Sequence, residues 1–295
     1  MIRERHRKIP SLILCSDFHL REDTPTCFTG DFQMEQWIAV NFVKDLQKKY
    51  SCPIVHAGDL FHHWKPSPWL ISQTMLHIPA EFWSIYGQHD LPQHNWELRN
   101  KSGLYTLYQS GYVKVPLREV GCSYGQEPIT GEGTVRMLVD KDILIWHHMT
   151  YINPPYPGAI GGNAISILKK YPQFSLICTG DNHQSFYTEY EGRLLVNPGN
   201  LTRQTADQID FQPRVALWYA DTNTIEWVDI PIQKDVISRE HIEIKEQRDA
   251  RIDAFISKLD GDWVAGMSFE ENLEAFFVKN ETRDVVKEII YKSIV

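Results

Sequence analysis

Five short segments of this 295-residue chain end in residues able to bind metal ions. They are Asp17-Phe18-His19, Gly58-Asp59, Gly87-Gln88-His89-Asp90, His147-His148 and Gly180-Asp181-Asn182-His183. Carboxylates, imidazoles and a carboxamide are oxygen and nitrogen donors for divalent ions. Asp17 and His19 stand two apart, so at the end of a strand they share a face and both reach one ion. Asp59 follows a glycine, and a single carboxylate there can bridge two ions about 3.5–4 Å apart, the separation of two-metal hydrolysis. His147 and His183 add imidazoles, which suit Mn, Fe or Zn. Such a site serves attack of a metal-activated hydroxide on phosphorus, with the ions lowering the pKa of water and screening the phosphate oxygens. Taken singly the pieces are ordinary, since D-x-H is common and Gly-Asp after a strand is often a turn. The joint order and placement single out the site.

The elements that must position these residues are legible beside them. Four of the segments follow apolar runs: Leu12-Ile13-Leu14-Cys15, Ile54-Val55, Ile143-Leu144-Ile145-Trp146 and Leu176-Ile177-Cys178. The third follows the mixed run 82–86. Short apolar runs bounded by turn residues read as buried strands. Ligands collect beyond the carboxyl ends of such strands, so the repeated pattern predicts all five segments on one rim of one sheet. The spacing predicts helices over 33–49, with Met34, Trp37, Ile38, Val40 and Phe42 near the 3.6 period, and over 69–76 and 164–170. Further strands are expected at 194–196, 215–219 and 225–228, the last two joined by the turn signal Asp221-Thr222-Asn223. The alternation implies a layered α/β/β/α sandwich with two mixed sheets.

Near Ile232 the pattern changes. We expect a catalytic domain over 1–232 and a mostly helical C-terminal appendage over 233–295. There Ser268 and Glu271 form a capping-box pattern before Leu273, Phe276 and Phe277, and Val285, Val286, Ile289, Ile290 and Ile294 recur at helical spacing. No run approaches the ~18 apolar residues of a membrane span, and the basic start has no signal-peptide pattern. Five cysteines without a C-x-x-C pair suggest reduced thiols in a cytoplasmic protein. The net charge of −8 excludes a protein coated with positive charge for nucleic acid. It leaves a nuclease open, because bound ions invert the local sign at a carboxylate-rich site.

The order D-x-H, G-D, G-N-H-D, H and G-H-x-H resembles that of the calcineurin-like metallophosphoesterases, from about Leu12 to Asp221. A narrower similarity follows. The run Gly58-Asp59-Leu60-Phe61-His62-His63-Trp64-Lys65-Pro66-Ser67 resembles the GDLFH…PS segment of the DNA double-strand-break repair nuclease branch, the SbcD-type subunit that works with an SbcC-type coiled-coil ATPase. The run Asn197-Pro198-Gly199-Asn200-Leu201-Thr202-Arg203 resembles the same branch's P-G-S…R segment. The resemblance implies a metal-dependent exo- or endonuclease of DNA repair and recombination. The sequence alternatives are an esterase for small phosphodiesters or phosphoproteins, and a regulatory subunit with a weakened metal site.

Carried over position by position, the resemblance implies one ion held by Asp17, His19, Asp59 and His183, and a second held by Asp59, Gln88, His147 and Asp181. His89 would assist the leaving oxygen, Asp90 would orient His89, and His62 would handle substrate near the scissile phosphate. The chain departs from the family at Gln88 (asparagine in the family) and Asp181 (histidine). Both fall on the second ion and enrich it in oxygen, which favours Mn and Mg over Zn. We therefore expect two divalent ions, Mn before Mg, Fe or Zn. Beside a strand-end His147, His148 should point the other way, to touch substrate or to pack. Arg203 is a candidate phosphate grip or a surface arginine. Trp64, Tyr151 and Tyr156 are candidate base contacts, and Arg3, Arg5, Arg7 and Lys8 track a DNA backbone or form a solvated terminus. Implied partners are DNA, the SbcC-type ATPase and a second copy of the chain. Fewer than about 65 residues follow the core, so any DNA-gripping cap must be reduced.

Overall fold

The computed structural model of the chain describes residues 9–118, 120–129, 139–154, 158, 160–259 and 268–294. Tyr156 and the basic residues Arg3, Arg5, Arg7 and Lys8 lie outside the described residues. In chain order the strands are β1 (Leu12–Cys15), β2 (Ile54–His56), β3 (Phe82–Ser84), β4 (Gly121–Cys122), β5 (Ile143–His147), β6 (Thr150–Tyr151), β7 (Gly162–Asn163), β8 (Leu176–Gly180), β9 (Phe186–Tyr190), β10 (Arg193–Asn197), β11 (Arg214–Tyr219) and β12 (Thr224–Asp229). The helices are α1 (Phe32–Tyr50), α2 (Pro68–His77), α3 (Gly103–Gln109), α4 (Ala164–Lys170), α5 (Glu240–Leu259), α6 (Phe269–Lys279) and α7 (Asp284–Ile294).

Two five-stranded sheets result, ordered β12-β11-β1-β2-β3 and β4-β5-β8-β10-β9. In the first, β1, β2 and β3 are parallel while β11 runs against β1 and β12. In the second, β4, β5, β8 and β10 are parallel and β9 is antiparallel. Both sheets are therefore mixed, as the alternation of runs predicts.

The two-residue period of a strand explains the layers. Leu12 and Leu14 of β1 join Val55, Ala216 and Trp218 from their own sheet and Ile143, Ile145, Leu176, Cys178, Leu194 and Val196 from the other, forming one core between the sheets. Ile13 and Cys15 point the opposite way, into a second core with Ala39, Val40 and Val43 of α1, Leu70 of α2 and Leu104 and Leu107 of α3. Leu144 and Trp146 of β5 point away from the central core, toward Ala164, Ile167 and Leu168 of α4. Helices thus cover both outer faces, giving α/β/β/α. Because β1, β2, β5 and β8 are buried on both faces, their sequences read as unbroken apolar runs.

α1 starts where Asp31 accepts a hydrogen bond from Met34 N at 2.9 Å, and it ends at Ser51 in the left-handed region. The helix lies where its periodicity predicts, but its buried face is rotated. Phe32, Gln36, Ala39, Val40 and Val43 are inside, while Met34 and Ile38 are exposed. All five cysteines are buried and free. No helix among the described residues is long and apolar enough to cross a membrane.

The chain divides into two compact units, Met1–Ser238 and Arg239–Val295. The division falls beyond the composition change at Ile232, because backbone hydrogen bonds from Thr29 N to Val236 O and from Ser238 N to Cys27 O hold 233–238 in the first unit. The second unit contains α5, α6 and α7. The capping box at Ser268 and Glu271 starts α6, as its sequence predicts. Leu273, Phe276 and Phe277 form a small core against which Ile290 of α7 packs, while Val285 and Ile289 are exposed.

His56, at the end of β2, illustrates how polar groups are fitted behind the functional rim. Its Nδ1 lies 2.8 Å from Ser84 Oγ, and its ring meets Phe18 edge-on at 4.6 Å. Burial pushes its pKa down to about 3. The folded state therefore resists a proton that the unfolded chain accepts near pH 6.5. Stability present above pH 6.5 should be lost as pH falls toward 3, by up to about 1.4 kcal/mol per pH unit from this residue. Urea midpoints of metal-free protein measured between pH 7 and 4 should fall less steeply for His56→Gln than for the unmodified chain.

Candidate metal centre

The carboxyl ends of both parallel strand sets meet at one rim. The ligand segments therefore share one rim as expected but come from two sheets, correcting the expectation of a single sheet. The rims are tied directly. Asp181 N donates to Asp17 Oδ1 at 3.2 Å, and His147 Nδ1 lies 2.6 Å from Ala57 O. Asp17 N donates to Gly58 O and His19 N to Asp59 O.

Four candidate ligands adopt positive φ: Asp17 (50°), His19 (44°), Asp59 (57°) and Asp181 (79°). Non-glycine residues pay for this region with steric strain, and strain held by its surroundings clusters at functional sites. Space is equally constrained. A Cβ at Gly87 would lie 2.0 Å from Asp59 Oδ1, and one at Gly58 would lie 2.5 Å from His147 Nδ1. Both glycines are required for the loops to approach each other.

All seven candidate ligands are brought together. Donor atoms of Asp17, His19 and His183 lie within 4.8 Å of one another, as do those of Asp17, Asp59 and His147. His19 Nε2 is 3.7 Å from Asp59 Oδ2, and His147 Nε2 is 3.5 Å from the same oxygen. Gln88 joins the second group, with its Oε1 accepting from His147 Nε2 and its Nε2 donating to Asp181 Oδ1 at 2.5 Å. Asp17 is common to these two of the three ion-sized groups, the third being His19, His62 and His89, so it and Asp59 together occupy the middle, a place the resemblance gives to Asp59.

The donor set fits two divalent cations. His19 Nδ1 and Nε2 and Asp59 Oδ2 are buried with no hydrogen-bond partner, a costly state unless something binds them. Burial, helped by the Asp59 charge, pushes Asp17 up to about 8. Burial also opposes the charge on Asp59, but the imidazoles of His147 and His19 hold it below the ordinary carboxylate range. Burial drives the pKa of His19 and His183 down, so both are neutral donors at pH 7. In His147 both ring nitrogens face acceptors, Ala57 O and Gln88 Oε1. Against the cost of burial, Asp59 pushes its pKa up to about 10. Two bound ions would relieve the crowding of negative charge around Asp17. Nδ1–H on Ala57 O would then fix the tautomer that offers Nε2.

The other expected residues separate into those beside the centre and those elsewhere. His89 N donates to Asp59 Oδ1 at 2.8 Å, and its Nδ1 lies 2.8 Å from His62 O. The His62 and His89 rings lie 25° from parallel at 5.5 Å. Asp90 does not orient the His89 ring. Its buried carboxylate accepts from the backbone N–H of Leu60, Phe61 and Gly87, pinning the β2 and β3 loops to each other. The carbonyl of His62 orients His89 instead. His148 lies flat on Trp146, with centroids 4.0 Å apart and planes 6° apart. Trp64 is half-buried beside His63 and makes no described ring contact with the ligand cluster. Tyr151 is half-buried in β6.

Arg203 is corrected outright. It is 4% exposed, 3.7 Å from Glu35 Oε1, and donates to Gln233 O. It is a buried structural cation, not a phosphate grip. Its segment, 197–204, instead braces the ligand loops. Asn197 Nδ2 donates to Asn182 O and Gln184 O, Asn200 N to His183 O, Leu201 N to Asp17 O, and Gln204 Nε2 to His19 O. The NPG run signals this brace in sequence, but its partners are visible only in the fold.

The sequence profile described as calcineurin-like phosphoesterase matches residues 10–185, more than half the chain. The chain belongs to that family. Among curated proteins no match is found. The phosphoesterase is similar to a solved archaeal phosphodiesterase at 14% identity, covering 74% of this chain and 98% of that one, with a TM-score of 0.42. It is also similar to a metallophosphoesterase from Sphaerobacter thermophilus, at 14% identity over 75% of this chain and 89% of that one, with a TM-score of 0.38. A predicted phosphoesterase from Streptococcus pneumoniae aligns at 15% identity over 75% and 97%, with a TM-score of 0.31. As a member of this family, the chain is a metal-dependent phosphoester hydrolase by type, and the His and Asp groups gathered at its rim could hold a metal ion.

Proposed function

We propose that this phosphoesterase hydrolyses phosphodiesters of DNA with two Mn ions, as the nuclease subunit of an SbcC-type ATPase complex in repair and recombination. The observation that carries the diester reading is the pair of imidazoles beside the ligands. His62 and His89 lie at the rim, and burial together with Arg21 pushes His62 down to about 4, leaving it neutral. The arginines described near this rim are engaged elsewhere, Arg21 by Asp23 and Arg203 by Glu35. A singly charged diester needs no further cation but leaves a basic alkoxide that must gain a proton. The sequence similarity over Gly58–Ser67 supports DNA as the diester.

Asp17, His19, Asp59 and His183 would hold one ion, and Asp59, Gln88, His147 and Asp181 the other. The ions supply Lewis acidity toward phosphate oxygens and lower the pKa of bound water. The rest is this chain's own work. His89 is fixed by Asp59 and by the His62 carbonyl, which leaves Nε2 to exchange a proton with the leaving oxygen. Asp90 keeps the two loops that carry Asp59 and His89 in register. The exposed Val285 and Ile289 of α7 form an apolar face suited to a coiled-coil partner.

Metal-stripped protein given Mn should cleave an end-labelled linear duplex, and Asp59→Asn should not. Intact DNA together with hydrolysis of a small diester would leave an esterase for small substrates. Failure to bind metal at all would leave a regulatory subunit.

A further inference from the structure

A cleft of about 610 Å³ opens directly beside the second ion group, and it shares His147 and Asp181 with that group. Its other walls come from two loops, Tyr124 to Glu127 after β4 and His148 to Met149 after β5, together with Ile160 and Gly161. Its volume lies within the usual range for small-molecule sites, about 300–1,000 Å³. Nothing in the proposed chemistry uses it.

The walls are flat and firmly held. The His148 ring is backed by Trp146, whose Nε1 donates to Gln126 O at 3.0 Å. Cys122 Sγ donates to the same carbonyl, and Ser123 N donates to Gln126 Oε1. The Tyr124 backbone is fixed to Tyr86 O, and its ring stands edge-on to His94 at 5.9 Å and to His147 at 6.3 Å. A half-buried ring already stacked on one side is a platform for another planar group. Met149 and Ile160 add apolar surface. The lining carboxylates are Asp181 and Glu127, the latter engaged by the Tyr171 hydroxyl at 3.0 Å and by Lys170 Nζ at 3.7 Å, and no lysine or arginine is among the described lining residues. A second phosphate is therefore disfavoured there. A neutral, planar group with N–H donors is favoured.

We propose that this cleft holds one unpaired nucleobase attached to the phosphodiester under attack, so that the preferred substrate is a strand end or single strand rather than a continuous duplex. The assignment rests on the phosphodiesterase reading above. A base must leave its stack to enter, and a paired duplex resists this. Tyr124 and His148 supply the stacking surface, and Asp181, whose Oδ1 receives Gln88 Nε2, accepts a base N–H through its other oxygen.

The test uses the Mn-loaded full chain and two chromogenic diesters with the same p-nitrophenyl leaving group, one carrying thymidine and one only a methyl group. The unmodified chain should prefer the thymidine ester. Tyr124→Ala should raise KM for that ester about tenfold, in line with the loss of one stacking partner. Any change in kcat should be shared by the methyl ester, so that the preference for thymidine falls about tenfold, and Tyr124→Phe should restore that preference. Equal losses on both esters, or no preference in the unmodified chain, would overturn the proposal. Calorimetry with thymidine monophosphate separates the two readings. Binding weakened by Tyr124→Ala without turnover of either ester would uphold the cleft and sink the hydrolysis. Turnover of both esters, with nucleotide binding indifferent to Tyr124, would uphold hydrolysis and sink the cleft.

Discussion

Asp17→Asn should abolish turnover while making the metal-free protein more stable in alkaline solution. The carboxylate is fully buried, belongs to two of the three ion-sized groups, and has its pKa pushed up to about 8 by burial and by Asp59. A folded-state pKa above the unfolded value gives stability that is full below about pH 4 and lost as pH rises through 8. At pH 8–9 without metal, the unmodified chain therefore carries the whole cost of a buried, crowded charge. Asparagine removes the charge and keeps the shape. Its carbonyl can accept from Asp181 N, and the Ser16 hydroxyl that donates to Asp17 Oδ2 at 2.6 Å can turn to accept from the amide. Loss of an anionic ligand shared by two ions should cost at least about 10²–10³-fold in kcat, the scale of one lost electrostatic stabiliser. Adding Mn should reverse the stability order, because ligand binding to the folded state stabilises only the chain that binds it. Thermal melts at pH 8.5 with chelator and with Mn would show the crossing. A variant less stable than the parent in chelator would disprove the charge-crowding account.

The crossing reflects what was and was not legible in the sequence. The apolar runs ending in Cys15, Val55, Trp146 and Cys178 reveal themselves because strands buried on both faces are apolar on both, and polar residues such as His56, His147 and Thr179 enter only at their carboxyl ends. The ligands follow at once, so strand ends and site are read together. β9 escaped because Phe186–Tyr190 is half-exposed throughout and carries neither an apolar run nor a clean alternation. α3 escaped although α4, equally short, did not: it opens on Gly103, and Tyr105, Thr106 and Tyr108 are residue types that favour strands over helices. The rotated face of α1 has a related cause. Apolar residues on a helix mark a stripe, but Met34 and Ile38 sit at its edge, and only the fold reveals that Gln36 takes the inner place.

Roles fixed by distant partners could not be read at all. Arg203 is neutralised by Glu35, which is 168 positions away along the chain. Asp90 looks like the helper of its neighbour His89, yet its acceptor capacity is taken by three backbone groups. The family resemblance suggested the role of Asp90, and the guanidinium fork suggested a phosphate grip for Arg203. Burial and hydrogen-bond satisfaction decide for a structural role in each case. The positive φ angles at Asp17, His19, Asp59 and Asp181 are likewise invisible in sequence, where aspartate and histidine give no sign of strain.

Gly199→Ala should therefore be far more damaging than its place outside the ligand set suggests. Gly199 has φ +77°, and a Cβ there would lie 2.8 Å from His183 O, 2.9 Å from Ser185 N and 3.0 Å from Gln184 C. All three are backbone atoms, so no side chain can swing away to make room. The loop carrying His183 and Asp181 must move, or Gly199 must leave the left-handed region and break the Asn200 N to His183 O bond. Either response displaces a ligand from each ion group. Gly192 supplies the matched control. It has φ +71° in the β9–β10 turn, with nothing within 4 Å of the added Cβ. Gly192→Ala should cost only the backbone penalty of about 1–2 kcal/mol, with Mn affinity unchanged. Gly199→Ala should carry that penalty and the clash, and lower Mn affinity about 10–100-fold, the scale seen when ligand orientation is lost. Urea denaturation in chelator and Mn titration of both variants separate the two contributions. Equal Mn affinity in the two variants would show that the 197–204 segment does not position the ligands. A selective loss in Gly199→Ala would show that the segment which resembles a nuclease signature acts by holding the metal loops in place.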